Sequence, residues 1–264
     1  FGNGNGSISF IDDFGNVENN VFANNNSQLL GDVVQSMNIF NEKAYIVVNN
    51  SGKIIVSSLD SMNYLTTIDV TSPRYLTQVS ESKAYVTDWG VNGVHVLNLD
   101  NNTIRTTISC GIGPEAIVVN NGYAYVCNSA NGYLSPRDST ITIIDIANDN
   151  VIATLVVGDN PNSIQVDADG DIWVLSGGYT LYESQPPYSL LIETAGKLTK
   201  ISANTVVNSF DFPIGNHPKS LIVDDLTNTL YYLDGSGSKS VYAFNISDSE
   251  LSTLPVINRD LRHL

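Results

Sequence analysis

Lys43-Ala44-Tyr45-Ile46-Val47 is the first of five short apolar runs, each centred on an aromatic residue. The others are Lys83-Ala84-Tyr85-Val86-Thr87, Tyr123-Ala124-Tyr125-Val126-Cys127, Asp171-Ile172-Trp173-Val174-Leu175 and Thr229-Leu230-Tyr231-Tyr232-Leu233. The aromatic anchors at positions 45, 85, 125, 173 and 231 are spaced 40, 40, 48 and 58 residues apart. Self-similarity with a period near this length predicts a repeat architecture.

Two further features recur with the anchors. One is a proline-containing turn, found as Ser72-Pro73-Arg74, Gly113-Pro114-Glu115, Asn160-Pro161-Asn162 and His217-Pro218-Lys219. The other is a second hairpin, such as residues 141–146 joined through Asn148-Asp149-Asn150 to residues 151–155. These runs are rich in β-branched residues, their turns are rich in Asn, Asp and Gly, and no window shows sustained helical periodicity. Each repeat therefore predicts four antiparallel strands, named a to d in chain order, which is one blade of a β-propeller.

The predicted fold is all-β, a single propeller domain over residues 1–264 with about six blades' worth of sequence. Outer c–d hairpins are predicted to begin near Ser7, Lys53, Val94, Thr140, Leu198 and Val241, and inner a–b hairpins are centred near Asn41, Glu81, Asn121, Asp169 and Thr227. Residues 258–264 resemble the start of another inner strand. Either the two chain ends meet in a composite sixth blade, or the ring is a truncated seven-bladed one.

The charge of the chain limits its partners. The formal net charge is −15, from 12 basic and 27 acidic residues. Such a field repels polyanions, so nucleic acid and anionic membrane surfaces are not expected as partners. No apolar run is long enough to span a bilayer, and nothing resembles a signal peptide. We expect the numbering to start inside a larger, exported precursor.

Several stretches carry a family resemblance: Phe1–Ser9, Ala84–Gly90, Gly158–Ser163, and the repeat unit that runs from Pro114–Ala116 through Val156–Gly158, together with the Ala-Tyr-Val core of each blade. The chain resembles YVTN-type β-propellers of surface-layer-like proteins. It is most similar to the surface-exposed, YncE-like propeller lipoproteins of Bacteroidetes. The resemblance implies a location at the cell surface or outer membrane and a binding role. Because some relatives capture corrinoids beside an outer-membrane transporter, it also implies a corrinoid-like ligand and such a transporter as partner. Family members usually close seven blades, whereas this sequence lacks the final outer hairpin and most of the first inner one.

One face of the predicted propeller collects the candidate site residues. The b–c loops and the proline turns emerge on the same face, and two b–c loops are long, at residues 129–139 and 177–196. Long loops on a rigid scaffold are commonly functional. Tyr179 and Tyr188 in the second loop, with nearby carboxylates, suit a large polar ligand or a protein partner. The alternative is that these tyrosines pack the loop onto its own blade.

Further ligand-binding candidates follow from the repeats. Arg74, Glu115, Asn162 and Lys219 each follow a loop proline, and their mixed chemistry suits polar recognition, although solvated turn residues would look the same. Trp89 opens a loop where an aromatic ring often serves as a binding platform, but it could instead be tucked between blades. Asp88 beside it and Asn128 at the end of the next repeat's run complete the predicted ligand-binding set.

Catalytic and metal-binding motifs are not found in the sequence. There is no Gly-x-Ser-x-Gly elbow and no His-Glu-x-x-His, and His95, His217 and His263 are scattered. Cys110 and Cys127 fit neither a disulfide scaffold nor a metal site, and whether they pair is left open. The carboxylates of residues 167–171 fail the calcium-loop pattern, while Asp169-Gly170 favours a hairpin turn. We expect no cofactor and no metal.

The sequence therefore predicts a non-catalytic cell-surface binding propeller that captures a corrinoid-like or other large polar ligand for an outer-membrane transporter. The alternative is a structural or adhesive surface-layer module that binds protein or glycan. A lactonase-like enzyme is disfavoured, because it would need a metal cluster or an acid–base pair at the channel mouth.

Overall fold

The computed structural model describes residues 4, 6–130, 137–234 and 240–257, and these are almost entirely β-structure. The chain divides into two compact units, Phe1–Ser109 and Cys110–Leu264. We call these unit 1 and unit 2. That the chain is one propeller domain stays a prediction.

Unit 1 contains ten strands, one α-helix and one 3-10 turn in its described residues. They are β1 Phe10–Ile11, β2 Val17–Glu18, α1 Val21–Asn26, β3 Val34–Phe40, β4 Lys43–Val48, the 3-10 turn Asn49–Ser51, β5 Lys53–Ser58, β6 Tyr64–Asp69, β7 Pro73–Ser80, β8 Lys83–Asp88, β9 Gly93–Asn98 and β10 Thr103–Ser109.

Unit 2 contains thirteen strands in its described residues. They are β11 Pro114–Asn120, β12 Tyr123–Asn128, β13 Thr140–Asp145, β14 Asn150–Val156, β15 Pro161–Val166, β16 Ile172–Ser176, β17 Tyr179–Tyr182, β18 Leu190–Thr194, β19 Lys197–Ser202, β20 Thr205–Asp211, β21 Lys219–Asp224, β22 Thr229–Leu233 and β23 Val241–Asn245.

The strands form the antiparallel sheets that the repeat predicts. Blade 1 is β3-β4-β5-β6, blade 2 is β7-β8-β9-β10, blade 3 is β11-β12-β13-β14, blade 4 is β15-β16-β19-β20, and blade 5 is β21-β22-β23. In the described part of blade 5, Ile257 adds an antiparallel bridge to Val241 at the outer edge. Sequential four-stranded antiparallel sheets are the blades of a β-propeller, so the predicted fold class is confirmed.

Within each unit the core lies between neighbouring blades, and the b strands supply more of its buried side chains than any other strand position. Tyr45 and Val47 of blade 1 pack on Ala84 and Val86 of blade 2. Tyr125 of blade 3 packs against Val174 of blade 4 in the same manner, and Trp173 of blade 4 packs against Tyr232 and Phe244 of blade 5. Because successive side chains of a strand point to opposite faces, the b strand of blade 4 packs on blade 3 through Val174 and on blade 5 through Trp173. Removal of these apolar surfaces from water is the main stabilising contribution to the fold.

The predicted turns are also found. Pro73, Pro114 and Pro161 are the first residues of β7, β11 and β15, and Pro218 directly precedes β21. A proline at the start of a strand removes no ladder hydrogen bond from the strand interior. Asp169-Gly170 forms the predicted hairpin turn, in which Asp167 Oδ1 accepts hydrogen bonds from the backbone N–H groups of Asp169 and Asp171.

The predicted c–d hairpin beginning near Ser7 is wrong. The residues before blade 1 instead form the two-residue strands β1 and β2, and then α1. Asp12 closes the turn between the strands by accepting hydrogen bonds from the backbone N–H groups of Phe14 and Asn16. Phe22 of α1 is buried against Ala44 and Ile46 of blade 1. The alternation in this segment is too short to make a blade hairpin. Phe22 and Leu30 pack on blade 1, whereas the apolar residues of β1, β2 and the turn between them are exposed.

Other expectations concern the ends, the cysteines and the membrane. Residues 258–264, predicted to start another inner strand, lie outside the described residues, and closure of the ring by the two chain ends stays a prediction. Cys110 and Cys127 are not joined by a disulfide. Within the described part of the chain, no helix has the length and apolar character to cross a membrane.

Candidate functional site

The b–c connection of blade 4 is the most prominent surface feature of unit 2. It folds into a two-stranded sheet of its own, in which β17 and β18 pair antiparallel from Tyr179↔Thr194 to Tyr182↔Leu190. We call residues 179–194 the arm and residues 182–192 the arm tip. The sequence predicted a loop here. Alternating side chains in residues 179–182 and an aliphatic run in residues 190–192 are the signal that could have predicted strands.

The arm tip is exposed and apolar. Tyr182 and Tyr188 are 57% and 58% exposed, and Leu190 and Leu191 are 50% and 56% exposed. Pro186 and Pro187 at the turn are exposed as well. The arm carries two carboxylates, Glu183 and Glu193, and no basic residue. Contiguous exposed apolar side chains with a polar rim are typical of interaction sites.

The base of the arm is held by an arginine clamp. Tyr179 is only 7% exposed, and the Arg137 guanidinium lies over its ring at 5.1 Å from the centroid. Arg137 Nη1 also forms an ion pair with Asp159 Oδ2 at 3.0 Å. The Tyr179 backbone N–H donates to Thr194 Oγ1 at 2.9 Å. Tyr179 therefore packs the arm onto its own blade. This is the second of the two roles, ligand contact or packing, that the sequence left open for the tyrosine.

His217 forms a second clamp on the other side of the arm base. Its Nδ1 lies 2.7 Å from the carbonyl oxygen of Gly177, so Nδ1 carries the proton and donates. Its Nε2 lies 3.0 Å from Thr180 Oγ1 and 3.6 Å from Glu193 Oε1. The structure thus gives the His217 ring three partners within the protein.

Two glycines connect the clamped base to β16. The Gly177 and Gly178 backbone N–H groups donate to the carbonyl oxygens of Asn160 and Asp159, both at 2.9 Å. Gly178 has φ +71°, and a Cβ atom there would overlap the carbonyl oxygen of Thr194. Glycine is therefore required where the chain leaves the blade. A two-stranded ribbon is marginally stable by itself, so these contacts are what fix the direction of the arm.

The described residues of the arm base enclose very little free volume. The cavity enclosed there by Ser129, Arg137, Asp159 and Tyr179 has a volume of about 10 Å³. That is at most the space of a single water molecule. The arrangement is thus suited to contact with a large surface through the arm tip. Of the first long loop, residues 131–136 lie outside the described residues.

In unit 1, two predicted ligand-binding residues come together. The Arg74 guanidinium lies 3.8 Å from the centroid of the Trp89 ring, and Arg74 Nη1 donates to Gln35 Oε1 at 2.7 Å. Trp89 is half-buried, and its indole Nε1 is buried with no hydrogen-bond acceptor among the described residues. Stacking of a guanidinium on indole is a favourable cation–π contact. Trp89 therefore has one ring face occupied by its own chain.

Asp88 has a structural role in the same turn. Its side chain is completely buried, and its carboxylate accepts hydrogen bonds from the backbone N–H groups of Thr71, Ser72 and Gly90 at 2.7–3.0 Å. His95 Nε2 lies 3.2 Å from Asp88 Oδ2. Burial alone would raise the pKa of Asp88, but the hydrogen bonds from His95 and the backbone together hold it below its usual value. Such a carboxylate fixes the turn and offers no surface to a ligand.

The other predicted residues are dispersed. Asn128 is fully buried and donates from Nδ2 to Thr140 and Thr142, while its Oδ1 accepts no hydrogen bond from the described residues. Glu115 is also buried, near Cys127, whose thiol pKa is raised by burial and then by the Glu115 charge. Asn162 donates to the carbonyl oxygen of Pro218 at 3.1 Å, and Lys219 is exposed. Tyr188 is the predicted aromatic residue that stands free at the surface of the arm tip.

Known structures share the fold of this chain. Hydrazine synthase of Kuenenia stuttgartiensis is 11% identical at a TM-score of 0.63, over 78% of this chain and 60% of that one. Dihydro-heme d1 dehydrogenase NirN, in complex with DHE, is 12% identical at a TM-score of 0.66, over 96% of this chain and 53% of that one. The Pan2 WD40 domain of Neurospora crassa is 11% identical at a TM-score of 0.57, over 83% of this chain and 64% of that one. The chain thus spans 53–64% of the length of these structures.

No curated protein matches the chain significantly. The model of one family, described as a domain of unknown function, matches residues 1–260, which is nearly the whole sequence. The chain therefore belongs to the DUF5074 family.

Proposed function

We propose that this chain is a non-catalytic binding propeller displayed at the cell surface, and that the arm tip of blade 4 binds a protein partner. The observation that carries the proposal is an exposed apolar hairpin end on a base held by side chains from separate loops. The YVTN-type resemblance of the repeats supports the surface location. Ligand or protein binding is also the role that the similar propeller structures suggest.

The chemistry of the arm tip favours a protein. Tyr182 and Tyr188 are large amphipathic rings of the kind enriched at interface hot spots, and Leu190 and Leu191 supply apolar area beside them. The arm base fixes the tip, which lowers the entropy lost on binding. Since the arm carries two carboxylates and the chain a net charge of −15, the matching partner surface is an apolar groove with a basic rim.

Site-specific photocrosslinking tests the proposal. Benzoylphenylalanine is placed at Tyr188 of the full chain, expressed in its native host, and at Tyr64 as a control exposed tyrosine in unit 1. We expect one discrete protein adduct from position 188 and none from position 64. Leu191→Asp in the same chain should abolish that adduct by putting a charge into the interface. Equal labelling from both positions, or no adduct from position 188, contradicts the proposal.

The corrinoid-like ligand implied by the resemblance is the competing outcome. One of the similar structures, NirN, is a complex with DHE, although likeness at 12% identity shows only the shared fold. Titration with cyanocobalamin decides between the two roles. Saturable binding that persists when the arm tip is removed would assign the chain to ligand capture instead.

A further inference from the structure

A second surface feature of unit 2 lies away from the arm tip, where blade 4 ends and blade 5 begins. It is a cavity of about 340 Å³. Its wall is formed by residues from the end of β20, the end of β22, the start of β23 and the segment after β23. The lining residues with chemical character are Asp211, Phe212, Tyr232, Asp234, Tyr242 and Glu250. A volume of this size is at the lower end of those that hold small molecules.

Aromatic rings form one wall of the cavity. Tyr232 and Tyr242 are stacked, with ring centroids 5.7 Å apart and planes 9° from parallel. Phe212 meets Tyr232 edge to face at 5.3 Å. Tyr232 and Phe212 are almost fully buried, which fixes their orientation. Tyr242 is only partly buried. The face of an aromatic ring carries negative potential and attracts cations.

Carboxylates give the cavity a negative charge. Asp234 is 7% exposed, and its Oδ2 accepts a hydrogen bond from Asn216 Nδ2 at 2.8 Å. Asp211 is paired with Lys197 at 2.9 Å, and Glu250 lies at the exposed rim. Among the described residues that line the cavity, none is basic. Burial, followed by the charges of Asp234 and Tyr242, raises the pKa of the Tyr232 phenol, which agrees with a negative potential there.

We propose that this cavity binds an organic cation of the alkylammonium class. Aromatic rings and carboxylates line one space, which matches a cation with an apolar surface. An inorganic metal ion does not fit as well. In the part of the chain that the structure describes, no three His, Cys, Asp or Glu residues are placed to share one ion. The positive charge comes either from a free quaternary ammonium compound or from a lysine side chain of another protein.

Calorimetric titration of the full chain with choline and with its neutral isostere, 3,3-dimethyl-1-butanol, tests the assignment. We expect choline to saturate one site with a dissociation constant of about 1 mM, as suits a ligand of few atoms. The isostere, which has the same shape without the charge, should bind at least about tenfold more weakly. Equal binding of the two compounds would show a merely apolar cavity and overturn the proposal.

Matched variants locate the binding. Tyr242→Leu removes a ring while keeping an apolar side chain, and it should weaken choline binding about tenfold. Glu250→Gln changes only an exposed charge and should weaken it about threefold. The controls Tyr64→Leu and Glu81→Gln make the same changes at exposed positions of unit 1 and should leave binding unchanged. If all four variants bind choline like the original chain, the site is elsewhere and the proposal fails.

A third titration, with Nα-acetyl-lysine methylamide, distinguishes the two sources of the cation. Tighter binding of this compound than of choline assigns the cavity to a lysine side chain of a partner protein, and the reverse assigns it to a free quaternary amine. Saturable binding of neither compound overturns the proposal. Removal of the arm tip should not affect these titrations, so this inference stands or fails separately from the proposed function.

Discussion

The b–c connections of blades 2 and 4 occupy the same position of the repeat but differ greatly in length and in exposure. In blade 2, strand b ends at Asp88 and strand c begins at Gly93, so four residues, 89–92, make the turn. In blade 4, strand b ends at Ser176 and strand c begins at Lys197, so twenty residues, 177–196, intervene and form the arm. The first connection is built around a buried carboxylate, and the second ends in exposed tyrosine and leucine side chains.

The short connection stabilises the fold, whereas the long one exposes side chains that can bind a partner. The Asp88 carboxylate satisfies three backbone N–H groups of its own and the preceding turn, so the fold depends on it. The arm tip contributes no buried side chain to blade 4. A repeat can therefore lengthen one connection into a binding element without changing the packing between blades. Substitutions in the short turn should therefore lower stability, whereas changes at the arm tip should affect binding.

The largest effect is expected at the short turn. Asp88→Ala should lower the free energy of unfolding by about 3–5 kcal/mol, because it leaves buried N–H groups and His95 without their acceptor. Urea denaturation followed by circular dichroism measures this change. The control Asp13→Ala, at an exposed position, should change stability by at most about 0.5 kcal/mol. Equal effects of the two substitutions would show that the buried carboxylate does not hold the turn.

A smaller effect is expected at the arm base. Tyr179→Ala should cost about 2–3 kcal/mol, less than truncation of a central core aromatic, because its ring packs only at the edge of blade 4. Hydrogen exchange of the amides in β17 and β18 should become faster, since the Arg137 contact with the ring is lost. Unchanged exchange in both strands would mean that Tyr179 does not anchor the arm.

The acid dependence of stability sharpens the role of Asp88. Its folded-state pKa lies below the value of 3.8 for an ordinary aspartate, so the folded protein binds fewer protons than the unfolded chain near that pH. The contribution of Asp88 to the free energy of unfolding is therefore fully present above pH 3.8. It is lost as the pH falls through the lower pKa of the folded state. The stability difference between the original chain and Asp88→Asn should therefore be constant near neutral pH and should narrow in strong acid. A difference that is independent of pH would contradict the assignment.

The repetitive part of the fold could be predicted from sequence because local patterns specify it. Tyr45, Tyr85, Tyr125 and Trp173 are buried in b strands as expected, and the proline turns start the a strands. The segment before blade 1 could not be predicted from the repeat, since it is not a copy of one. Its position depends on burial of Phe22 against blade 1, which is a tertiary contact.

The candidate site was less predictable, because it depends on pairs that are distant in sequence. Nothing in the local sequence connects Arg137 with Tyr179, or His217 with Gly177 forty residues earlier. Tyr179 and Tyr188 look alike in the sequence, yet one is buried at the arm base and the other is exposed at the tip. The cavity between blades 4 and 5 combines four separate segments and has no sequence motif.

Shortening the arm tests the central claim most directly. Thr180 and Glu193 are cross-strand partners, so residues 181–192 can be replaced by Asn-Gly, a dipeptide suited to a two-residue hairpin turn. Unfolding by urea and chemical crosslinking to the partner identified from position 188 are then measured on the original and the shortened chain. We expect the free energy of unfolding to change by at most about 1 kcal/mol and the protein adduct to disappear. A large loss of stability would show that the arm tip belongs to the fold, and an undiminished adduct would show that the partner binds elsewhere.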